Sequence, residues 1–478
     1  MTMTELNQLT NTPAIRIALK HEIVPIQAVK KPKISPKHST ATSMQAVMRV
    51  TNRLGQQIAP IIVDERNRIL AGVEIFDAMV ELGAEHVAVV RLNDLSSAEV
   101  KALTLLFAKL PELSKWDDGA VVKLINEIII EDPDVIDIIG FEMAEIDIAI
   151  DVRGEAEQED AATEKDDDRM AGKALSDFAP SNSVSEIGDL FIAGEHRLIC
   201  ANCLDEVSYA ALMAGEMASA TITDPPFNIR IAGNVSGLGQ TKHGDFAMGV
   251  GEMSFDEFTA FLAGFLVLMK AWLVPGGLAY VFMDRRHLEE LHRAARQAAL
   301  NILDLCIWNK KSGGMGGLYR SQHEPCLVLK HGTTPHTNNV KLGAFGRCRT
   351  NVWDHAGMSS FGKGRKEALA AHPTVKPWTL MAEIIKDCTA RGDIILDPFI
   401  GSGSCMLAAE KTGRRCFGIE LEPKYVDVAI ARFEKMTGKQ AIHAATGLTF
   451  SELKKQRQQT SFALALPAPG PNTENGHD

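Results

Sequence analysis

A short turn at residues 224–227 carries the residue types needed to hold an amine. Asp224, Pro225, Pro226 and Phe227 follow directly after the apolar run ATIT. Two consecutive prolines lack amide donors and have fixed φ angles, so a strand must end there and leave the acid at a sheet edge. The Asp224 carboxylate and the Pro225 carbonyl can each accept one hydrogen of an amino group on a planar base. Phe227 can stack on that base, a contact worth roughly 1–3 kcal/mol. Taken alone, the segment fits an ordinary turn equally well.

A glycine-rich turn nearer the end of the chain indicates a second ligand-binding element. Within DPFIGSGS, residues 397–404, Gly401 and Gly403 lie between an apolar strand and a predicted helix. Glycines let the backbone approach a ligand closely, and the start of a helix offers free amides. Glu420 ends the next predicted strand, about 20 residues on, where an acid holds ribose hydroxyls in nucleotide-binding βαβ units. Ser404 follows where a phosphate-binding loop needs lysine. We therefore predict a bound nucleoside without a triphosphate; a plain strand-to-helix turn is the alternative.

An alternation of strands and helices must position these two segments. Apolar strand patterns occur at 220–223, 278–283, 303–309, 326–330, 393–397 and 415–420. Helical patterns fall between or after them, near 256–272, 286–299, 379–389, 403–412 and 424–436. This order predicts an α/β domain with a mainly parallel sheet, which binds its ligands at the carboxyl ends of the strands.

Three motifs in this order resemble the β group of amino-group DNA methyltransferases. They are DPPF at 224–227, HPTVKP at 372–377 and DPFIGSGS at 397–404, and the resemblance spans about 188–437. It implies the Rossmann-like fold of S-adenosylmethionine-dependent methyltransferases, with seven strands of which one is antiparallel. It also implies S-adenosylmethionine as cofactor, double-stranded DNA as partner and a target base flipped out of the duplex. The methyl group would pass directly to nitrogen, without a metal or a covalent enzyme intermediate.

The resemblance assigns roles to the matching positions. Catalysis falls to Asp224, Pro225, Pro226 and Phe227. The residues assigned to the cofactor site are Asp397, Phe399, Gly401, Ser402, Gly403 and Glu420. Thr374 and Lys376 are expected near the methionine end of the cofactor, and Cys405 is interpreted as a packing residue.

The acid at position 224 also bears on the target base. Family members that act on the 4-amino group of cytosine usually carry serine there, so Asp224 favours the 6-amino group of adenine. The segment 331–371 occupies the place of the target-recognition region in the family. Its cationic side chains could contact phosphates or guanine edges, or be solvated surface charges: Arg347, Arg349, Lys363, Arg365 and Lys366.

Charge is distributed unevenly along the 478 residues, whose formal net charge is -11. Residues 151–170 hold nine acids and three lysines or arginines, whereas residues 305–366 hold ten lysines or arginines and two acids. The second segment is where a polyanion such as DNA could dock.

Composition indicates an ordinary protein of a reducing compartment. Eight cysteines are too few for a disulfide scaffold, and Cys200 and Cys203 form a CxxC pair without a second pair, so we predict no metal site. The sequence lacks an apolar run of roughly 20 residues and a secretory start. We therefore predict a cytoplasmic protein that does not contact membranes.

The acidic segment predicts a division into two domains. We place a front domain at 15–150, a linker at 151–186, the methyltransferase domain at 187–455 and a disordered tail at 456–478. The front domain reads as a small α+β unit and resembles the ParB/sulfiredoxin-like domain. That family tends to place arginines where residues 73–76 are VEIF, and a polar acidic pair where residues 108–109 are AK. We therefore expect a structural or DNA-positioning role rather than nucleotide binding.

The sequence leaves several functions open. The leading hypothesis is a site-specific adenine methyltransferase of the kind found in restriction-modification systems, possible as a homodimer. Alternatives are a 4-amino-cytosine DNA methyltransferase, a ParB-like DNA-binding module with an inactive methyltransferase domain, and an RNA or protein methyltransferase.

Overall fold

The computed structural model describes residues 21–157, 183–229, 251–311, 313, 318–344, 348–355 and 376–465. The chain divides into two compact units, Met1–Glu142 and Met143–Asp478, and each is considered by itself. Over the described ranges, no helix combines the length and the apolar character needed to span a membrane.

The front unit is an α+β unit, as the sequence predicts. Its elements are β1 (His21–Pro25), α1 (Ala41–Leu54), β2 (Ile61–Asp64), β3 (Ile69–Ala71), α2 (Val73–Glu81), β4 (His86–Leu92), α3 (Ser97–Lys109) and α4 (Asp118–Glu131). The four strands form one sheet in the order β1-β4-β2-β3, in which β2 and β4 run parallel. Alternate residues of β2 and β4, such as Ile61, Val63, Val87 and Val89, form the core because successive side chains of a strand point to opposite faces.

Helix α1 begins at a cap that the sequence marks only weakly. Its first turn is stabilised by a capping box, in which the Thr40 hydroxyl accepts the Ser43 amide and the Ser43 hydroxyl accepts the Thr40 amide. The helix ends at Gly55 in the left-handed conformation. Capping boxes usually have Glu or Gln at the position of Ser43, and that residue type marks the start of a helix in a sequence. With serine there, the sequence predicts the helix start only weakly.

The back unit alternates strands and helices around one large sheet. Its elements are α5 (Met143–Glu157), β5 (Leu190–Ala193), β6 (His196–Cys200), α6 (Glu206–Met213), β7 (Ala218–Thr223), α7 (Phe255–Ala271), β8 (Leu273–Phe282), α8 (Leu288–Gln297), β9 (Asn301–Asn309), β10 (His323–Lys330), β11 (Val352–Asp354), α9 (Trp378–Cys388), β12 (Ile394–Asp397), α10 (Ser404–Thr412), β13 (Arg415–Glu420), α11 (Pro423–Thr437), β14 (Ala441–His443) and α12 (Phe450–Ala465). The six predicted strands and five predicted helices all occur, with ends displaced by a few residues.

The sheet contains the seven-stranded pattern that the resemblance implies. Its ten strands lie in the order β11-β9-β10-β8-β7-β12-β13-β6-β5-β14. In the central run from β9 to β6, every neighbouring pair is parallel except those made by β10, which is antiparallel to both β8 and β9. The prediction of seven strands with one antiparallel is confirmed, and short strands extend the sheet at both edges.

Both faces of this sheet are covered by helices. Helices α9, α10 and α11 contribute to one apolar cluster with Ile222 and Tyr280, whereas α6, α7 and α8 contribute to the other with Ala279 and Val281. Burial on both faces explains why β7, β12 and β13 read as nearly continuous apolar runs in the sequence. Because both faces are buried, polar side chains can lie together only at the ends of the strands.

The first helix of the back unit differs from the prediction of a linker at 151–186. Helix α5 runs to Glu157, and its Asp147 is buried against Arg414, with Oδ1 and Oδ2 accepting from the two Nη atoms at 2.9 and 2.7 Å. Similarly, α12 reaches Ala465, past the start of the predicted disordered tail at 456, and Arg457 contacts Asp189 Oδ2 at 2.5 Å. Both helices are stabilised by ion pairs with residues far away in the sequence, which local composition does not reveal.

We predict that Arg414→Met lowers the free energy of unfolding by about 3–5 kcal/mol, because it leaves the Asp147 carboxylate buried without its main partner. The matched control is Arg415→Met at the next position, where the pair with Glu216 is about one third exposed and is worth about 0–1 kcal/mol. Urea unfolding followed by circular dichroism measures both. Equal losses in the two variants would contradict the importance of the buried pair.

Candidate active site at the carboxyl ends of the central strands

The two motifs singled out in the sequence lie side by side in the structure. Strands β7 and β12 pair in parallel, with Ala220 opposite Ile395 and Thr221 opposite Leu396. The Thr223 hydroxyl at the end of β7 donates to Asp397 Oδ1 at the end of β12, at 2.8 Å. The DPPF turn and the glycine loop therefore leave the same edge of the sheet from adjacent strands.

The turn after β7 is stabilised by an asparagine whose role is not evident from the sequence. Asn228 adopts a left-handed conformation with φ of 53°, which asparagine tolerates better than most residues. Its side-chain oxygen accepts the amides of Gly251 and Met253 at 3.0 and 3.2 Å, and its Nδ2 donates to the Met253 carbonyl at 2.8 Å. These bonds fix the direction in which the chain leaves Phe227, which is half-buried and packs against both apolar clusters.

Asp224 has one oxygen occupied and one without a partner. Its Oδ2 accepts from the Lys376 ammonium at 2.7 Å. Its Oδ1 is buried and has no hydrogen-bond partner among the described residues. Burial raises the pKa of Asp224 to about 6, and the Lys376 charge limits this rise. A buried carboxylate oxygen without a donor is costly, so the site is built to receive a donor from a ligand.

Lys376 lies against the DPPF turn. The resemblance predicts that it lies near the methionine end of the cofactor, and in the structure its ammonium contacts the carboxylates of Asp224 and Glu324. Glu324 is contacted in turn by Lys310, whose Nζ lies 2.7 Å from Oε2. Glu324 is the second residue of β10 and Lys310 directly follows β9. The sequence did not reveal either residue, since nothing near them in the chain ties them to Asp224.

The glycine loop after β12 needs both of its glycines. Gly401 and Gly403 have φ of 54° and 83°, in the left-handed region. A Cβ at Gly403 would lie 2.9 Å from the Cβ of Ala429 in α11, so a larger residue would push the helix away. Among the described residues, a Cβ at Gly401 would meet only the Phe399 carbonyl oxygen, at 4.0 Å, so these residues leave space beside it. Gly401 is therefore where a ligand can approach the backbone.

Glu420 connects the glycine loop to the next strand. Its Oε2 accepts the Gly401 amide at 2.9 Å, and its Oε1 accepts the Glu422 amide at 2.8 Å. Burial raises the pKa of Glu420 to about 7, and burial likewise raises the pKa of Asp397 to about 7. An acid beside an open glycine backbone, without a nearby lysine in the loop, fits the ribose of a nucleoside and offers little to a triphosphate.

The remaining predicted cofactor residues have contacts within the protein. The Phe399 ring packs edge-on against Phe265, with centroids 5.0 Å apart, and its amide donates to Asp397 Oδ1 at 3.1 Å. The Ser402 hydroxyl and carbonyl accept from Arg432 of α11 at 3.0 and 2.7 Å. Ser402 is thereby engaged in holding the loop onto α11.

Several predicted residues lie outside the described part of the chain. These are Thr374 of the HPTVKP motif and the cations Arg347, Lys363, Arg365 and Lys366. Arg349 is described, and it forms ion pairs with Glu383 and Asp387 of α9, the latter at 2.7 Å. Glu383 and Asp387 lie one helical turn apart on α9, so both can pair with Arg349. The Arg349 charge is therefore used in ion pairs within the protein.

The cysteines highlighted by the sequence are buried. Cys200 ends β6 opposite Glu420, and burial raises the pKa of its thiol to about 12. Cys203 is also buried, and no group of three metal-ligating side chains occurs over the described ranges. Cys405 is buried within α10, consistent with packing.

Comparison with protein families identifies a match at the site. Residues 218–431 match the N6_N4_Mtase family model, described as DNA methylase. The match begins with β7 and ends within α11, so it contains both the DPPF turn and the glycine loop.

Individual proteins similar to this chain are bacterial methyltransferases. Type II methyltransferase M2.DpnII of Streptococcus pneumoniae is 26% identical over 245 residues, which are 48% of this chain and 87% of that protein. Type II methyltransferase M.HpaI of Haemophilus parainfluenzae is 24% identical over 254 residues, 50% of this chain and 74% of that protein.

Two solved structures are also similar to parts of the chain. The M1.HpyAVI-SAM complex is 22% identical, with a TM-score of 0.37, and covers 49% of this chain and 97% of that one. Truncated ParB of Caulobacter crescentus, complexed with CTP-gamma-S, is 12% identical, with a TM-score of 0.24, and covers 28% of this chain and 79% of that one.

We predict that Glu420→Ala weakens binding of S-adenosylmethionine about tenfold or more, since a charged hydrogen bond is worth about 1.5–3 kcal/mol. The variant also removes the acceptor of the Gly401 amide. Glu422→Ala is the control, because that side chain contacts Lys424 at 3.5 Å. Isothermal titration calorimetry at about pH 8, where Glu420 is ionised, measures both affinities. An unchanged affinity in Glu420→Ala would exclude Glu420 from the cofactor site.

Proposed function

We propose that this chain, whose residues 218–431 match the N6_N4_Mtase family model, methylates the 6-amino group of adenine in DNA at specific sites. The observation that carries the proposal is the buried Oδ1 of Asp224, which has no hydrogen-bond partner within the described ranges and belongs to the turn next to the glycine loop. It supplies an acceptor for an amine hydrogen next to the place where a nucleoside cofactor fits.

S-adenosylmethionine, the cofactor of this family, would supply a methyl group bonded to a positively charged sulfur. The sulfur is the leaving group and keeps both electrons of the broken bond. Residues of this chain orient the amine. Asp224 Oδ1 and the Pro225 carbonyl each accept one hydrogen, which turns the nitrogen lone pair out of the ring system. Phe227 stacks on the base. Once the nitrogen has gained a carbon, it must lose a proton, and Asp224 Oδ1 is the acceptor in place.

The same geometry requires the base to leave the duplex. The Asp224 side chain is 22% exposed, so a base that stays paired and stacked within a duplex cannot reach its carboxylate. Flipping the base costs a few kcal/mol, and stacking on Phe227 offsets part of that cost. An extruded adenine presents its 6-amino group to two acceptors at once.

Adenine is favoured over cytosine by the carboxylate itself. A serine hydroxyl offers a weaker acceptor than the ionised Asp224, and serine is usual at this position in the cytosine-specific members that the sequence resembles. Methylation of the 4-amino group of cytosine is the second candidate, and an inactive methyltransferase domain is disfavoured because the turn, the loop and Glu420 are all intact.

The other elements of the proposal come from the sequence. The front unit would position DNA, the segment 331–371 would recognise the target sequence, and the protein would act in a restriction-modification setting. Homodimerisation and a cytoplasmic location stay predictions.

We predict that the protein incubated with labelled S-adenosylmethionine and unmethylated duplex DNA yields labelled 6-methyladenine after digestion to nucleosides. Asp224→Ala should lower kcat at least about a hundredfold, as loss of one preorganised polar contact does in other enzymes. It should still bind S-adenosylmethionine. Asp256→Ala, on the exposed first turn of α7, is the control and should retain activity. Labelled 4-methylcytosine would replace the adenine assignment, and full activity of Asp224→Ala would refute the catalytic assignment.

We predict an acid limb in the pH dependence of kcat near pH 6. The carboxylate must be ionised to accept the amine hydrogen, and the pKa of Asp224 is about 6, so activity is full well above that pH and falls as the pH drops through it. Single-turnover rates between about pH 5 and pH 8.5 measure this limb. A rate that is flat down to pH 5 would show that Asp224 titrates elsewhere or is not required as an anion.

A further inference from the structure

Three charged side chains form a row behind Asp224 that the proposed chemistry does not use. Lys376 contacts Asp224 and Glu324, and Glu324 also contacts Lys310. Glu324 lies on β10 and Lys310 directly follows β9, whereas Asp224 follows β7. The row therefore crosses from the catalytic turn to the antiparallel strand of the sheet.

We propose that Lys376 and Glu324 are positioning residues for methyl transfer: Lys376 holds Asp224 as an anion with Oδ1 directed at the target amine, and Glu324 fixes Lys376 in place. This inference rests on the proposed function. It assigns to Lys376 a task at the catalytic acid, in place of the cofactor contact expected from the sequence.

Geometry supports the task. The Lys376 ammonium lies 2.7 Å from Oδ2, and Oδ1 has no partner among the described residues. A carboxylate can rotate so that either oxygen faces the cleft, but an ion pair with one oxygen fixes which of them remains for a ligand. The pair thus selects the orientation in which the amine is accepted.

Burial explains why Glu324 is needed as well. The Lys376 side chain is 3% exposed and that of Glu324 is 9% exposed, so neither charge can rely on water. Buried charges persist only when paired. Lys310 and Lys376 carry two positive charges, and Asp224 and Glu324 carry two negative ones. The four groups are neutral in total, so a neutral base can enter without creating net buried charge.

Aromatic rings complete the surroundings of the ammonium. The Lys376 Nζ lies 4.7 Å from the centroid of Phe282, 5.4 Å from that of Phe227 and 5.7 Å from that of Trp308. Ring faces attract a cation at these distances. Because Phe227 is the ring proposed to stack on the base, Lys376 contacts both side chains that hold the substrate.

Substitutions of Lys376 and Glu324 should shift the pKa of Asp224 in opposite directions. The charged groups that influence Asp224 are Lys376, Glu324, Lys310 and the neighbouring Asp397. Removing the positive charge of Lys376 raises the pKa of Asp224, whereas removing the negative charge of Glu324 lowers it. Substituting a residue that only stabilises the fold would not shift the pKa of Asp224 in either direction.

The test compares the acid limb of kcat in wild type, Lys376→Met, Glu324→Gln and the double variant, using duplex DNA and saturating S-adenosylmethionine. The limb of Lys376→Met should move upward by about 1–3 pH units, the usual effect of a cation beside a carboxylate, so that its activity recovers near pH 9. The limb of Glu324→Gln should move downward, and that of the double variant should fall between these two. Lys386→Met, which removes an ion pair between α9 and Asp151 of α5, is the matched control and should leave the limb in place.

Glu324→Gln keeps an acceptor for Lys376, so the test survives if Lys376→Met fails to fold. Loss of activity in Lys376→Met that is equal at every pH, or limbs that stay together in all variants, would overturn the positioning role. Either result would leave the proposed function intact, provided that the wild-type protein still forms 6-methyladenine. Absence of methylated adenine from wild type at every pH would overturn the proposed function and this inference together.

Discussion

The parallel pairing of β7 with β12 is the constraint on which the rest of the site depends. Residues 218–223 and 394–397 are far apart in the chain, yet the register of Ala220 with Ile395 brings their carboxyl ends to one edge. The bond from Thr223 to Asp397 closes that edge. Because the helices on both faces bury the strands, the DPPF turn and the glycine loop can only project outward together. An acceptor for an amine and a cradle for a nucleoside thereby become neighbours.

Three buried acids near the ends of β7, β12 and β13 differ in their partners. Asp224, Asp397 and Glu420 all have raised pKa values because burial disfavours their ionised forms. The lysine beside Asp224 counters this effect at the acid that the proposed chemistry requires as an anion. The other two acids accept hydrogen bonds from Thr223, Gly401 and Glu422, which stabilise the loop proposed to receive the cofactor. The proposal therefore gives neighbouring carboxylates different tasks because their partners differ.

Much of this arrangement could be predicted from the sequence. The order of strands and helices, the end of β7 at two prolines and the glycine turn depend on local residue types, and these predictions agree with the structure. Asn228, Lys310 and Glu324 could not be found in this way, since their contacts join segments that only folding brings together. Helix α5 was assigned in part to a linker for the same reason, since the Asp147 that fixes it is paired with Arg414, 267 positions away in the sequence.

The central claim concerns where the amine of the target base is held. A crystal structure of the protein with a duplex containing its target adenine and a non-reactive analogue of S-adenosylmethionine tests it most directly. We predict that the exocyclic nitrogen lies within about 3.2 Å of both Asp224 Oδ1 and the Pro225 carbonyl oxygen. Lys376 should remain on Oδ2, and the analogue should lie along the glycine loop. A base bound elsewhere, or Asp224 turned away from its amino group, would contradict this placement.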